Sequence, residues 1–453
     1  MNAGQARNRR LAATAAAVAL LAGAAACSSS GGSGGGGTAA ASPSAGFKPG
    51  VLSRADAGQT ISVLLPPWGD MAQPQLAKFT AATGIKVNLE QMAWDSIHDK
   101  VVSAEAAGVA PADVTEVDWS WVGQFGAAGW YTPLNKWLPA SLIGGSPVAA
   151  NFSVSGQQIA MPYNIDFRST IVNMTLLKKA GITSPPTTWA QLLTDAQQIK
   201  ARGVLASPVG VPLSVTEGTS TPWYALIKSA GGSVLDSSGN PAFSSSTSAG
   251  AQALQLEATL YKDGLIPQGE ISLTDQQTSN LFAAGQIAIE LSYSPSALSA
   301  YTTPATSKVA KDDIVLAPIP GTDGTTTGTF GLPEGLGIPK QSTHQAAAAM
   351  FIDWWEQLPQ LLASYNNPNM GNVPPLTSAL SYLNSHNDLI DGSAVMAILP
   401  SVSPLFTGGA PTWYPQFSTD VATMIQNVVE GKSSVSAALS QLASETQSLK
   451  AQS

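Results

Sequence analysis

Few side chains in this 453-residue sequence are equipped for covalent chemistry. It holds one cysteine, Cys27, and three histidines far apart in the chain, His98, His344 and His386. That composition excludes a disulfide framework and a thiolate zinc site, and it offers no His-rich metal centre, so no cofactor is expected. Residues 31–35 (GGSGG) have the spacing of a nucleophile elbow, but they lie in a glycine–serine run with no strand or helix to hold a serine on a strained turn. No GxxxxGK[ST] phosphate loop occurs. Asp113, Glu116 and Asp118 form the one acidic grouping of the kind that glycoside hydrolysis uses. The alternation of strand faces is expected to set Glu116 apart from Asp118. Tryptophan is the residue present in quantity: eleven, in a chain with only 7% aromatics. Binding through aromatic side chains, rather than catalysis, is the feature to follow.

The charge balance narrows the partners. Charged residues make up 11% of the chain against a usual ~25%, with Gly, Pro and small polar residues in their place. There are 21 basic and 29 acidic side chains, a formal net charge of -8, which excludes a nucleic-acid binder built on clustered Lys and Arg. At the N-terminus, Arg7, Arg9 and Arg10 precede a twelve-residue apolar run (11–22), and Ala24, Ala25 and Ala26 lead into Cys27. This reads as a targeting segment over residues 1–26, too short to span a bilayer, which needs about 20 apolar residues. It resembles a bacterial lipoprotein signal, which implies diacylation of Cys27 and anchoring to the outer face of the cell membrane. Ala24 departs from the Leu usual at that position, and ordinary cleavage leaving a free thiol is the alternative. Residues 28–37 (SSSGGSGGGG) open a flexible tether over 27–57. About 25 such residues reach roughly 25–30 Å.

From residue 60 onward, strand and helix signals alternate, as in an α/β protein. Residues 61–65 (ISVLL), 85–89 (IKVNL) and 113–117 (DVTEV) read as strands. The helix over 74–82 between the first two is closed by Gly84, a C-terminal cap. Longer helices are expected over 174–180, 189–202, 223–230 and 249–263, with buried strands at 287–291 and 314–317. The last 110 residues read as helical, over 343–357, 420–430 and 434–449.

Several blocks then resemble, in order, the family 1 extracellular solute-binding proteins of bacterial ABC importers, the group with the maltodextrin-binding proteins. They are residues 76–85 (LAKFTAATGI), 159–173 (IAMPYNIDFRSTIVN), 176–200 (LLKKAGITSPPTTWAQLLTDAQQIK), 223–232 (WYALIKSAGG), 282–292 (FAAGQIAIELS), 317–320 (APIP) and 431–442 (GKSSVSAALSQL). The resemblance spans about 58–445. It implies a two-lobe type II periplasmic-binding-protein fold, with an N-lobe of 58–164 and 286–332 and a C-lobe of 165–285 and 333–453. A multi-strand hinge would join the lobes, with ligand in the cleft between them.

A sugar site needs aromatic platforms for C–H faces and planar charged groups that bond two hydroxyls at once. The resemblance assigns such roles to Trp68 and Asp70 after the first strand, and to Asp118 and Trp119 after the third. Tyr163, Asp166 and Arg168 fall in the hinge block, and Glu217 in a Gly/Thr/Ser-rich loop. Trp223, read as opening a helix, is the strongest stacking candidate; Tyr293 follows a strand and Glu334 lies in the second hinge crossing. Trp121 is read as core. The expected function is capture of a sugar or oligosaccharide by hinge closure and delivery to a membrane permease served by a separate ATPase. The receptor is expected to be a monomer and not an enzyme. A polyamine receptor of the same fold and a surface glycan-active enzyme are the alternatives.

Overall fold

The computed structural model describes residues 47–69, 71–324, 328–367, 371–406 and 409–452, all within one compact unit of residues 43–453. Asp70 and Cys27 lie outside the described residues. No helix among the described residues is long and apolar enough to cross a membrane.

Two sheets organise the chain. The first has the order Lys86–Gln91, Thr60–Leu65, Val114–Asp118, Glu334–Gly337, Ala160–Pro162. Its first three strands are parallel, and Glu334–Gly337 runs antiparallel to both of its neighbours. Within Thr60–Leu65 the side chains alternate between two cores. Ile61, Val63 and Leu65 pack with Leu76, Phe79, Phe351 and Trp354 on one face, whereas Leu64 joins Val101, Trp121 and Phe125 on the other. Covered on both faces, this strand has a near-continuous apolar sequence, the pattern that parallel sheets require. The helix Gln73–Thr83 buries Leu76, Phe79 and Thr83 on one stripe and ends at Gly84, whose φ of +75° is the left-handed cap expected from the sequence.

The second sheet has the order Ile314–Ala317, Ser169–Asn173, Ile289–Tyr293, Val209–Gly210. One face carries the helices Trp189–Ala201, Glu217–Ser229, Ala249–Lys262, Tyr414–Val429 and Val435–Gln452; the other carries Asp275–Ala283, Ala297–Tyr301 and Gly392–Ile398. Each sheet with its helices is one lobe.

The pairing corrects the segment assignment expected from the sequence. Ile289–Tyr293 and Ile314–Ala317 both pair with Ser169–Asn173, so they belong to the second lobe, not to an N-lobe segment 286–332. Glu334–Gly337 pairs with Val114–Asp118 in the first sheet, and the following helix Gln345–Trp355 packs there too, so residues 334–355 are not part of the C-lobe. The physical reason is that both crossings run side by side between the sheets. Tyr163 N donates to Glu334 O, Leu332 N to Asp166 O and Arg168 N to Phe330 O, at 2.9, 2.9 and 3.2 Å. Each strand that enters this two-ply ribbon from one sheet leaves it in the other.

Candidate ligand-binding site

A cavity of about 810 Å³ lies between the two sheets, bounded on one side by the carboxyl ends of the first sheet's strands. Ligands favour that end in open α/β sheets. Each wall is set by a local rule of the sequence.

The 3-10 turn Pro67–Gly69 follows the first strand and leaves Trp68 38% exposed, with Nε1 donating to Glu334 Oε1 at 2.6 Å. Asp118 ends the third strand and caps the next 3-10 turn by accepting from Ser120 N (2.8 Å) and Ser120 Oγ. Trp119 begins that turn; its ring lies 4.9 Å from Tyr414 and 5.9 Å from Phe330, so a first-sheet loop packs into the core of the second lobe. In the ribbon, Asn164 Nδ2 donates to Glu334 Oε2 at 2.6 Å, and Arg168 lies 3.9 Å from Asp166.

From the second lobe, Glu217 opens the helix Glu217–Ser229 and accepts the Tyr414 hydroxyl at 2.7 Å. Tyr293 is aimed inward by a β-bulge. Residues 290 and 293 pair with 171 and 169, so one extra residue is accommodated, and Ser292 takes φ +63°.

Trp68, Asp118, Trp119, Asp166, Arg168, Glu217, Tyr293 and Glu334 thus line one cavity. Tyr163 stands behind it, fully buried, donating its hydroxyl to Glu334 Oε2 at 3.0 Å. Trp223 is not at the cavity, and the stacking role expected of it is corrected. The helix begins six residues before it, at Glu217, so Trp223 sits mid-helix, with no exposed surface and Nε1 bonded to Gly250 O at 2.9 Å. Trp121, expected in the core, is 2% exposed yet lines the cavity. Trp94 was missed. It opens the helix Trp94–Ala106 just past the strand Lys86–Gln91, the same strand-end position that singled out Trp68 and Trp119. Asn372 and Asp275 also line the cavity; Asn372 Nδ2 donates to Trp68 O at 3.1 Å.

The strand geometry also corrects the separation of Glu116 from Asp118. Residues two apart share a strand face. Glu116, Asp118 and Glu334 therefore converge, each with a carboxylate oxygen within 4.8 Å of the others. Glu116 is wholly buried, and neither of its oxygens has a hydrogen bond among the described residues. Burial, and then the neighbouring Glu334 and Asp118, hold its carboxyl well above the usual range. Burial, then Glu217, pushes Asp118 up to about 8; burial, then Asp118, does the same for Glu334, also to about 8. The three carboxyls lie too close, and too dry, to be fully ionised together without a compensating cation. Three oxygen donors of this kind suit a hard cation or an ammonium.

With rings on one wall and planar carboxyl, amide and guanidinium groups around them, the cavity can stack an apolar face and hydrogen-bond a polar rim. Residues 67–357 match the family model described as bacterial extracellular solute-binding protein. A putative binding protein of Brucella abortus is 24% identical over 408 residues, covering 88% of this chain and 94% of the relative. Maltose-bound MalE3 of T. maritima is similar in fold, with a TM-score of 0.76 and 22% identity, covering 86% of this chain and all of the other. An ABC transporter solute-binding protein of Agrobacterium radiobacter in complex with ribitol has a TM-score of 0.77 and 20% identity, covering 87% and 99%.

Proposed function

Because this chain belongs to the family of bacterial extracellular solute-binding proteins, we propose that it is the receptor of an ABC importer for a sugar or polyol. The observation that carries this reading is the interlobe cavity itself, with Trp68, Trp94 and Trp119 on one side and Glu217 and Tyr293 on the other. A solute that touches both walls favours the joined arrangement by its differential affinity, and the joined lobes form the surface offered to a permease. The ligands of two fold neighbours, maltose and ribitol, support a polyhydroxylated solute. Trp68, Asp118, Trp119, Asp166, Arg168, Glu217, Tyr293 and Glu334 are its proposed contacts, with Tyr163 supporting Glu334.

Cys27, outside the described residues, is the proposed lipid attachment, and the residues after it the tether that holds the receptor at the outer membrane face. The tether expected over 27–57 is corrected to end before Phe47, because Phe47 packs edge-on against Trp137 at 5.5 Å and Gly50 N donates to Asp353 Oδ2 at 2.6 Å. Asp70 remains a proposed contact from its place in the sequence. The permease and its ATPase are separate chains in this reading.

Thermal unfolding against a panel of neutral sugars and polyols tests it. A solute that binds only the folded state adds about 2.7 kcal/mol of stability at a hundredfold excess over its Kd. A shift with one solute, lost in Trp68→Ala, supports the reading. Hydrolysis of an offered glycan would replace it with an enzymatic one.

A further inference from the structure

Six carboxylates line the cavity, against one guanidinium, Arg168, already close to Asp166. Their arrangement matters more than their number. Asp118 and Glu334 stand on the first lobe, Glu217 and Asp275 on the second, and Asp166 on the ribbon between. Bringing the lobes together therefore crowds these carboxyls around one space, where they cannot all be ionised without a compensating cation. Behind Asp118 and Glu334, Glu116 directs a third carboxyl at the same point with both oxygens unsatisfied and no exposed surface. The rings of Trp94 and Trp119 complete the surroundings.

Neutral hydroxyls would satisfy hydrogen-bond acceptors but supply no positive charge against which these crowded carboxyls can ionise together. A protonated amine satisfies both: its N–H groups donate to carboxylates, and its charge is attracted to the faces of indole rings. Resting on the solute-receptor reading above, we infer that the solute carries a protonated amine, seated between Asp118 and Glu334 of the first lobe and Glu217 of the second.

Titration calorimetry of the full chain tests this with five probes: D-glucosamine, spermidine, D-glucose, N-acetyl-D-glucosamine and calcium chloride. The expected result is heat from an amine-bearing probe, at least tenfold weaker binding for its neutral counterpart, and loss of amine binding in the isosteric Glu217→Gln. Amine affinity should also fall as salt is raised. Glucose binding as tightly as glucosamine overturns the inference and leaves the sugar reading intact. Spermidine alone binding supports the inference and overturns the sugar. Calcium binding with no amine response overturns it in favour of a metal site. No response to any probe overturns the inference. Because Asp118 also holds a turn together, Asp118→Asn should be compared with Glu217→Gln, and unchanged amine binding in both counts against the assignment.

Discussion

Glu116 has two buried oxygens without hydrogen bonds and two more carboxyls within reach, so the pH response of the protein should have a predictable sign. The ordinary values for Asp118 and Glu334, 3.8 and 4.5, rise to about 8 in the folded chain. Between those limits the folded state binds more protons than the unfolded one, so stability falls as pH rises. Their contribution is fully present below the ordinary values and is lost as pH passes through about 8. Calorimetric Tm should therefore decline from about pH 5 to about pH 8, and Glu116→Gln should make the decline shallower; a Tm that climbs over this range contradicts the arrangement. Trp223→Ala should cost about 3–5 kcal/mol in chemical unfolding, the usual penalty for an emptied aromatic site, because the ring is core and not platform. Trp68→Ala, by contrast, should weaken solute binding while leaving a folded protein, because that ring lines the cavity and is 38% exposed. Much of the site was legible because it follows one rule: residues just past the carboxyl ends of strands face the cavity. Trp68, Asp118 and Trp119 obey it. Trp94 obeys it too, but its helix starts after Ala93 with no side-chain cap, so no local signal in the sequence marks that start.

The helix Glu217–Ser229 explains the other misreading at the next scale. Its first turns, EGTSTP, have poor helix propensity, and Pro222 lies inside it. Burial of nearly every residue from Thr219 to Ser229 overrides that propensity, moving the helix start back to Glu217 and Trp223 into the core. Both sheets were legible as strands, since apolar runs bounded by Gly and Pro mark them. Which sheet each late strand joins was not, because pairing is a long-range choice that local pattern does not encode. The bulge before Tyr293 is similar: only the pairing reveals that Ser292 holds a left-handed conformation within a strand. This yields an element-scale prediction. Ser292→Gly should fold with equal or greater stability, since glycine takes φ +63° without strain, whereas Ser292→Val should lose about 1–2 kcal/mol. If the bulge aims Tyr293, the valine variant should also bind solute less tightly than the glycine variant. Equal stability of the two would show that the left-handed residue is not needed there.

For the whole molecule, the question is what permits the lobes to meet, and one residue type answers it. Gly123 lies in the helix Val122–Ala128 of the first lobe, against the backbone of Ala410 and Pro411 in the second. A Cβ at Gly123 would overlap the Ala410 carbonyl oxygen outright and would come within 2.8 Å of its carbonyl carbon and 3.0 Å of the Pro411 carbonyl carbon. Backbone atoms on either side cannot yield as a flexible side chain would, so one methyl group forces the two segments apart. The helix is fixed to its own lobe by Val122 and Phe125, both fully buried, and Ala410 leads into the buried Tyr414 and Phe417 of the other. Relief therefore comes more readily from separating the lobes than from repacking either core. Gly123→Ala should give a folded protein with a larger radius of gyration by solution scattering than the parent, and Gly123→Val a larger one still. Solute affinity should fall in the same order, because a ligand that must draw the lobes together now works against the wedge. Separation withdraws Trp119 from the second lobe's core but leaves the rest of each core in place, so the loss should lie more in binding than in unfolding. Unchanged dimensions with a large drop in Tm would mean instead that this contact stabilises a fixed assembly and that the lobes do not move apart.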